Sequence, residues 1–579
     1  VTHFRFWLGL FLLGAGFNIV IGAVFWPAVF AGSLNDPDSY MRLERIYQGV
    51  QAGHLTNFVA RDGPGRGVMV EWSRLLDALI WAMAAPLAMF LGWKQALFVA
   101  GIALGPLGAG ALGVALAFAA EPFAPKRFLW FAVAAGGLLP GIAVFGLPGT
   151  VHYHVLLLAL IAATGGFAAR AWEGETGPAF LAGLSGGFAI WLTPETMPFI
   201  LMIFAAVLGR WLMLPIGAAV AACAAGFIDV IGFGFAIDPP VGGYAVVEDD
   251  RLSVIYVVLG LFLLAGALGL WRLEQAGYWR RWRWAGAAGI AALILAWVGL
   301  FPQVAEGPYG LMTPAQMRGF FGAMTELQPL HPWQGPQFLL PGVLALFFTL
   351  WRCALGRGIA GRWLWGWAAL CIAVSLVLAQ KFILFVEFPA LAGAVLLPRM
   401  LSDVSFAWLD RPGMAAAGRL AVVMAMLAVP VLAVPALAPA PSRAAALAAG
   451  PECNLRYIAP VLAPYAGQTV LASGDDAPEL LYRTQVRVVG SIYQHGLPGY
   501  FALRQIFRSN PADAPAIMAQ AGVKLVLVCP GRPRNPTVAD LPPTTLWDAL
   551  HNGTPPAWLT RIAAPPGTFY VLYQVTPAR

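Results

Sequence analysis

Thirteen apolar runs, each long enough to cross a bilayer as a helix, constrain this chain more than any other feature. They lie at roughly 6–30, 96–119, 128–146, 152–169, 176–193, 195–210, 214–235, 253–271, 283–301, 336–352, 363–380, 381–398 and 415–437. Hydrophobic residues make up 59% of the sequence and charged ones only 11%. A soluble fold of 579 residues could not hide that much apolar surface, so the class is a polytopic membrane protein. The first run, at about 25 residues, exceeds the h-region of a signal peptide and is expected to be a retained anchor. A net charge of +7 would suggest nucleic acid in a soluble chain. Here the arginines sit in short loops between apolar runs, so they read as topology signals and no nucleic-acid partner is expected.

A fourteenth apolar stretch, 75–92, decides the topology. With it left out of the span count, Lys126, Arg127, Arg170, Arg210, the Arg272–Arg283 cluster, Arg357 and Arg362 all fall on the side of the N-terminus. The stretch is therefore expected to be an interfacial helix in the first external loop, with the N-terminus inside. The expected architecture is an all-α membrane domain of about thirteen helices over 1–437, with external loops 31–95, 236–252 and 302–335. An Ala- and Pro-rich linker follows at 438–450. Residues 451–579 alternate β-branched runs (Thr469–Ala472, Val486–Ile492, Lys524–Cys529, Phe569–Val575) with helical stretches (Tyr500–Phe507, Ala512–Ala521), as an external α/β domain would. In an exported domain, Cys453 and Cys529 could form a disulfide. Abundant Ala, Gly and Arg suggest a bacterial inner membrane with the external domain in the periplasm.

This topology gathers the polar segments on one external face. Asn35-Asp36-Pro37-Asp38-Ser39-Tyr40-Met41-Arg42 follows the first span. Acids and an arginine at the end of a membrane helix are what is needed to hold a metal or a phosphate at the bilayer surface, although a capped helix end with solvated acids has the same composition. His152 and His154 could share one face of an extended segment as metal ligands, whereas in a helix they would diverge. Thr325-Glu326-Leu327-Gln328-Pro329, followed by Trp333, lies in a loop of over thirty residues, long enough to close over a polar substrate. Lys381 sits between two apolar runs and must snorkel or pair with an anion. Glu195 adds a further acid to this face, and Glu248-Asp249-Asp250-Arg251 reads as a solvated helix start.

Taken in order, these residues resemble the catalytic subunit of oligosaccharyltransferase and its relatives in the GT-C class of membrane glycosyltransferases. That family carries Asp-Pro with Arg five residues after the Pro in its first external loop, matched by Asp36, Pro37 and Arg42. Its fifth loop carries Ser-Glu-His-Gln-Pro and then Trp, which Thr325–Pro329 and Trp333 resemble, and Lys381-Phe382 stands where it has Arg-Phe. His152 and His154 occupy a place where the family offers acids. Its C-terminal Trp-Trp-Asp-Tyr-Gly motif is absent, the nearest counterpart being Ala472-Ser473-Gly474-Asp475-Asp476-Ala477, so no sequon-reading role transfers.

The resemblance implies a transferase that moves a sugar or oligosaccharide from a polyprenyl-(di)phosphate donor to a lipid, glycan or protein acceptor. Asp36 would be base or metal ligand and Glu326 its loop-borne partner. Asp38, Glu195 and Trp333 would line the substrate site, while Arg42 and Lys381 would steer phosphate. Mg2+ or Mn2+ would sit on Asp36, His152 and His154. A flippase for lipid-linked sugars would instead show polar groups at midplane, and a non-catalytic scaffold would explain the His and Lys replacements.

Overall fold

The apolar runs become helices because a single segment in hydrocarbon can satisfy its own backbone groups only in that form. A computed structural model describes residues 2–63, 66–306, 312–321, 324–356, 358–404, 412–432, 453–530 and 545–576. Among them, ten helices are long and apolar enough to cross a membrane, or twelve if each of two bent pairs is one span. Lys126–Leu138 and Pro140–Gly146 meet at 68°, and Pro332–Phe338 and Leu340–Leu355 at 63°. In the first pair the bend falls just before Pro140, which has no N–H to continue the preceding helix but opens a new one well. The runs at 176–193 and 195–210 form shorter helices, Thr176–Leu192 and Met197–Trp211.

Small residues let these helices approach closely. A Cβ on Gly183 would fall 2.0 Å from the Cys223 carbonyl oxygen, and one on Gly226 2.2 Å from that of Phe180, so the Thr176–Leu192 and Gly217–Ile237 helices tolerate only glycine at both points. One end of the bundle carries its cations in ion pairs: Arg170 with Glu121 at 2.7 Å, Arg210 with Glu173 at 3.0 Å, and Arg352 and Arg399 with Asp403 at 3.2 and 2.9 Å. The opposite end carries the candidate site.

Arg74–Leu91 passes the length and composition test for a span, yet both its ends lie at the site end. At its start, Arg74 binds Asp238, and Asp77 binds Arg42 and Arg45 of the Pro37–Ala52 helix. Just past its close at Gly92, the Lys94 ammonium lies over the rings of Tyr47 and Tyr482. A helix tied to one end of the bundle at both termini runs along it rather than through it. Length and apolarity alone do not make a span.

The first loop holds an antiparallel pair of strands, β1 (Phe58–Val59) and β2 (Val68–Met69). Five more strands lie in the C-terminal region: β3 (Thr469–Leu471), β4 (Arg487–Val488), β5 (Val523–Val528), β6 (Leu559–Ile562) and β7 (Val571–Val575). They form one sheet in the order β4-β3-β5-β7-β6. β3 pairs in parallel with β4 and β5, and β7 runs antiparallel between β5 and β6. Helices Leu497–Arg508 and Ala514–Gln520 fall where the sequence places them, whereas β6 and the helices Ala477–Arg483 and Leu546–His551 are additions to that reading. Cys453 and Cys529 are disulfide-bonded, joining the entry of this region to the end of β5. The expected linker at 438–450 lies outside the described residues.

The sheet region is clamped to the first loop through Arg61. Its guanidinium donates to the carbonyls of Leu481, Thr484 and Val486 and pairs with Glu44 at 2.6 Å. Its own carbonyl accepts from the Val488 amide.

Candidate active site

The Pro37–Ala52 helix starts on strong local signals: Asp36 as cap, proline in the first turn and Asp38 beside it. The Ser39 amide donates to Asp36 Oδ1 and the Ser39 hydroxyl to Oδ2, both at 2.8 Å. Those bonds fix the carboxylate against rotation. The second loop then closes on the first. Asn35 donates to Pro148 O and Thr150 Oγ1, its amide to Gly149 O, and the Val151 amide to the Ser39 hydroxyl. Gly149 has φ +85°, and a Cβ there would lie 2.9 Å from Val29, so the close approach requires glycine.

This zipper brings His152 Nε2 to 2.9 Å from Asp36 Oδ1. An ionised carboxylate only accepts, so Nε2 carries the hydrogen. Burial opposes charge on the imidazole, but Asp36, its hydrogen bond, Asp38 and Glu326 outweigh it and raise the group to about 9. Burial also works against the Asp36 carboxylate, and His152 with the two Ser39 bonds holds it below its ordinary value all the same. Asp38 moves the other way, raised by burial and by Asp36. Two acids two residues apart thus take opposite characters, a division of labour typical of catalytic pairs.

The histidine pair has a thermodynamic signature. A group raised from 6.5 to about 9 on folding adds stability that is complete below the unfolded value and is lost as pH rises through about 9. His152→Gln should remove that component. Unfolding midpoints of the two proteins are expected to converge as pH rises from about 6.5 to about 9. A constant gap across that range would mean that His152 is not charged.

Around this centre the remaining groups separate into near and far. Asp38 Oδ1 accepts from the Tyr493 hydroxyl at 2.8 Å, so the sheet region reaches into the site. Tyr493 stands edge-on to Trp72, which in turn carries the Arg42 guanidinium 4.2 Å from its ring centroid. His154 turns from Asp36 to Glu387, with Nδ1 2.9 Å from Oε2 and its ring sandwiched between Phe145 and Tyr153. The Tyr153 hydroxyl donates to Glu195 at 3.2 Å. Glu326 is exposed, and its charge acts on His152. Its loop is stitched to the end of the Gly358–Lys381 helix, with the Ile383 amide on Gln328 O at 3.0 Å and the Leu330 amide on Gln380 O at 3.3 Å. Lys381 ends that helix exposed to solvent.

Arg42 is 2% exposed, shares Asp77 with Arg45, and acts on Asp38 through its charge from within the protein. Trp333 stacks on His331. Sequence reasoning passed over Ser39, Glu387 and Asp238 as site or support residues. Glu387 could have been found, because a lone acid in the apolar run after Lys381 is expensive unless it has a partner.

As placed, the donors do not fit a metal ion. Asp36 already accepts three hydrogen bonds, and His152 presents a hydrogen to it where a ligand of a shared ion would present a lone pair, which leaves only His154, through its Nε2, as an open donor. No group of three His, Cys, Asp or Glu side chains with metal-holding geometry occurs among the described residues.

No protein-family model matches the sequence, and no curated protein matches it. The fold does match solved structures. The archaeal oligosaccharyltransferase AglB from Archaeoglobus fulgidus, in complex with an inhibitory peptide and a dolichol-phosphate, superposes with a TM-score of 0.68 at 14% identity, over 92% of this chain and 69% of that one. The Archaeoglobus fulgidus oligosaccharyltransferase tethered to an acceptor peptide containing the NVT sequon gives 0.65 at 13% identity, over 91% and 68%. The form in complex with Zn and sulfate gives 0.63 at 14% identity, again over 91% and 68%. The chain has the fold of these enzymes.

Proposed function

We propose, from that fold, that this chain is an integral membrane glycosyltransferase. It would move a sugar or oligosaccharide from a polyprenyl-(di)phosphate donor to a lipid, glycan or protein acceptor. The observation that carries the reading is Asp36, an ionised carboxylate held at a helix N-terminus between two loops on an oligosaccharyltransferase fold.

A carboxylate offers about four lone-pair positions, and Asp36 has filled three. The fourth would orient the acceptor O–H or N–H toward the anomeric carbon. Glycosyl transfer through an oxocarbenium-like transition state asks mainly for charge placement and a stabilised leaving group. Asp36 would supply negative charge near the sugar, and Asp38, with its raised affinity for protons, would receive the acceptor proton. The leaving phosphate would meet Lys381 and the His152 imidazolium. Glu326 would come in on its loop, and Tyr153–Glu195 and Tyr493 would frame the acceptor.

The Mg2+ or Mn2+ implied by the family resemblance would require His152 to leave Asp36, so no step is assigned to it. Transfer is expected to persist in EDTA, and a loss restored by Mn2+ would show that His152 does move. The paired cations of the far end fit a cytoplasmic N-terminal side in a bacterial inner membrane, with the disulfide-bonded sheet region in the periplasm.

The test is a comparison of extracted lipids and surface glycans from cells producing the wild type or Asp36→Asn. Loss of one glycan with build-up of a polyprenyl-linked sugar supports the reading. An unchanged profile removes it.

A further inference from the structure

Behind the strap 31–34, and sharing no lining residue with the acid cluster, lies a cavity of about 570 Å³. Its walls come from three places. Phe30 and Gly32 follow the first membrane helix, Lys94, Gln95 and Phe98 open the Trp93–Ala120 helix, and Arg456, Tyr482 and Arg483 belong to the sheet region. Three basic side chains from three elements meet in one cavity. One of the three is neutralised, Arg483 by Glu479 at 2.5 Å, and Glu44 is taken by Arg61 at 2.6 Å, which leaves Lys94 and Arg456 without a carboxylate partner among the described residues.

Arg483 also donates to Gly32 O and the Tyr40 hydroxyl, and Arg456 donates to Ala31 O. Lys94 has neither a hydrogen-bond acceptor nor an ion-pair partner among the described residues. Its ammonium lies 4.9 Å from the Tyr482 ring centroid and 5.8 Å from that of Tyr47. The rim is apolar on both sides. Phe30 is 82% exposed, and Met89 and Phe90, five and four residues before Lys94, are similarly bare. Val20 and Val24 continue that surface down the first helix.

A cavity with uncompensated positive charge, bordered by bare apolar side chains at the end of a membrane helix, matches one class of molecule. We infer that it holds the headgroup of an anionic glycerophospholipid, with the phosphate on Lys94 and Arg456 and the acyl chains along Phe30, Val24 and Val20. The bound lipid ties the sheet region to the first membrane helices. This inference needs only the membrane fold and does not depend on the transferase reading.

The test uses the full-length protein in micelles doped with phosphatidylglycerol or phosphatidylcholine, with retained lipid counted by native mass spectrometry. Wild type is expected to keep a phosphatidylglycerol that inorganic phosphate does not displace, and to keep no phosphatidylcholine. Lys94→Gln with Arg456→Gln is expected to weaken retention by roughly 30-fold, two surface charges' worth. Lys94→Gln alone breaks no hydrogen bond within the protein, so it reports on the site even if the double variant does not fold. A benzophenone side chain at Phe30 should cross-link to the phospholipid. Equal retention by the variants, equal retention of phosphatidylcholine, displacement by inorganic phosphate, or no cross-link at Phe30 would each overturn the assignment.

Discussion

Asp36→Asn is expected to lower kcat/KM for sugar transfer by about a thousandfold, the scale on which enzymes lose a positioned acid–base or electrostatic group. The substitution is chosen to leave the local fold intact. Asparagine caps helices as well as aspartate does, and its side-chain oxygen can still accept from the Ser39 amide or from His152. What disappears is the negative charge beside the sugar and the spare lone pair for the acceptor. Donor affinity should change little, because the phosphate is met elsewhere, so the loss should fall in kcat. Purified protein with an unchanged unfolding midpoint and a kcat within tenfold of wild type would show that Asp36 serves only as a helix cap.

Asp238→Ala is expected to destabilise the fold by about 3–5 kcal/mol, the range for removing one partner of a buried ion pair. Asp238 follows the Gly217–Ile237 helix and accepts five hydrogen bonds, from Ser73, the amide and guanidinium of Arg74, Trp191 and Arg251. Arg251 is almost fully enclosed, and its other carboxylate, Glu248, stands 3.8 Å away. Taking out Asp238 leaves a buried guanidinium without a close counter-charge and frees the start of the Arg74–Leu91 helix. That helix carries Asp77, which fixes Arg42 and Arg45, so the Pro37–Ala52 helix loosens in turn. Unfolding followed in detergent by intrinsic tryptophan fluorescence measures the effect. A shift under about 1 kcal/mol would place that network on the surface in energetic terms.

The sequence exposes some of this architecture and hides the rest for physical reasons. Apolar length finds the helices because the bilayer imposes it. It cannot tell that both ends of Arg74–Leu91 are held at the site end, which depends on where Asp77 and Lys94 find partners. The cap at Asp36 and the glycine at 149 are local signals and can be read locally. Which of two histidines would meet Asp36 is not local. It depends on the zipper of Asn35 and Ser39 against residues 148–151, which directs His152 inward to Asp36 and leaves His154 to Glu387, 233 positions away. Arg42 carries the opposite lesson. Its motif spacing matches a known family, yet it is buried and shares the Asp77 carboxylate with Arg45, which no local pattern shows. Tyr493 reaches Asp38 only because Arg61 clamps the sheet region onto the first loop. A motif search of either segment alone would miss that contact.

The most direct test of the glycosyltransferase reading is a reconstitution. The purified full-length protein in lipid nanodiscs is given a polyprenyl-phosphate carrying a labelled sugar, together with a membrane extract as the source of acceptor. Both release of polyprenyl phosphate and transfer of label are followed by mass spectrometry. The wild type should free the lipid phosphate and move the label to one acceptor, and Asp36→Asn should do neither at a comparable rate. Equal turnover by the two proteins, or movement of the intact lipid-linked sugar across the bilayer without cleavage, would contradict a transferase centred on Asp36.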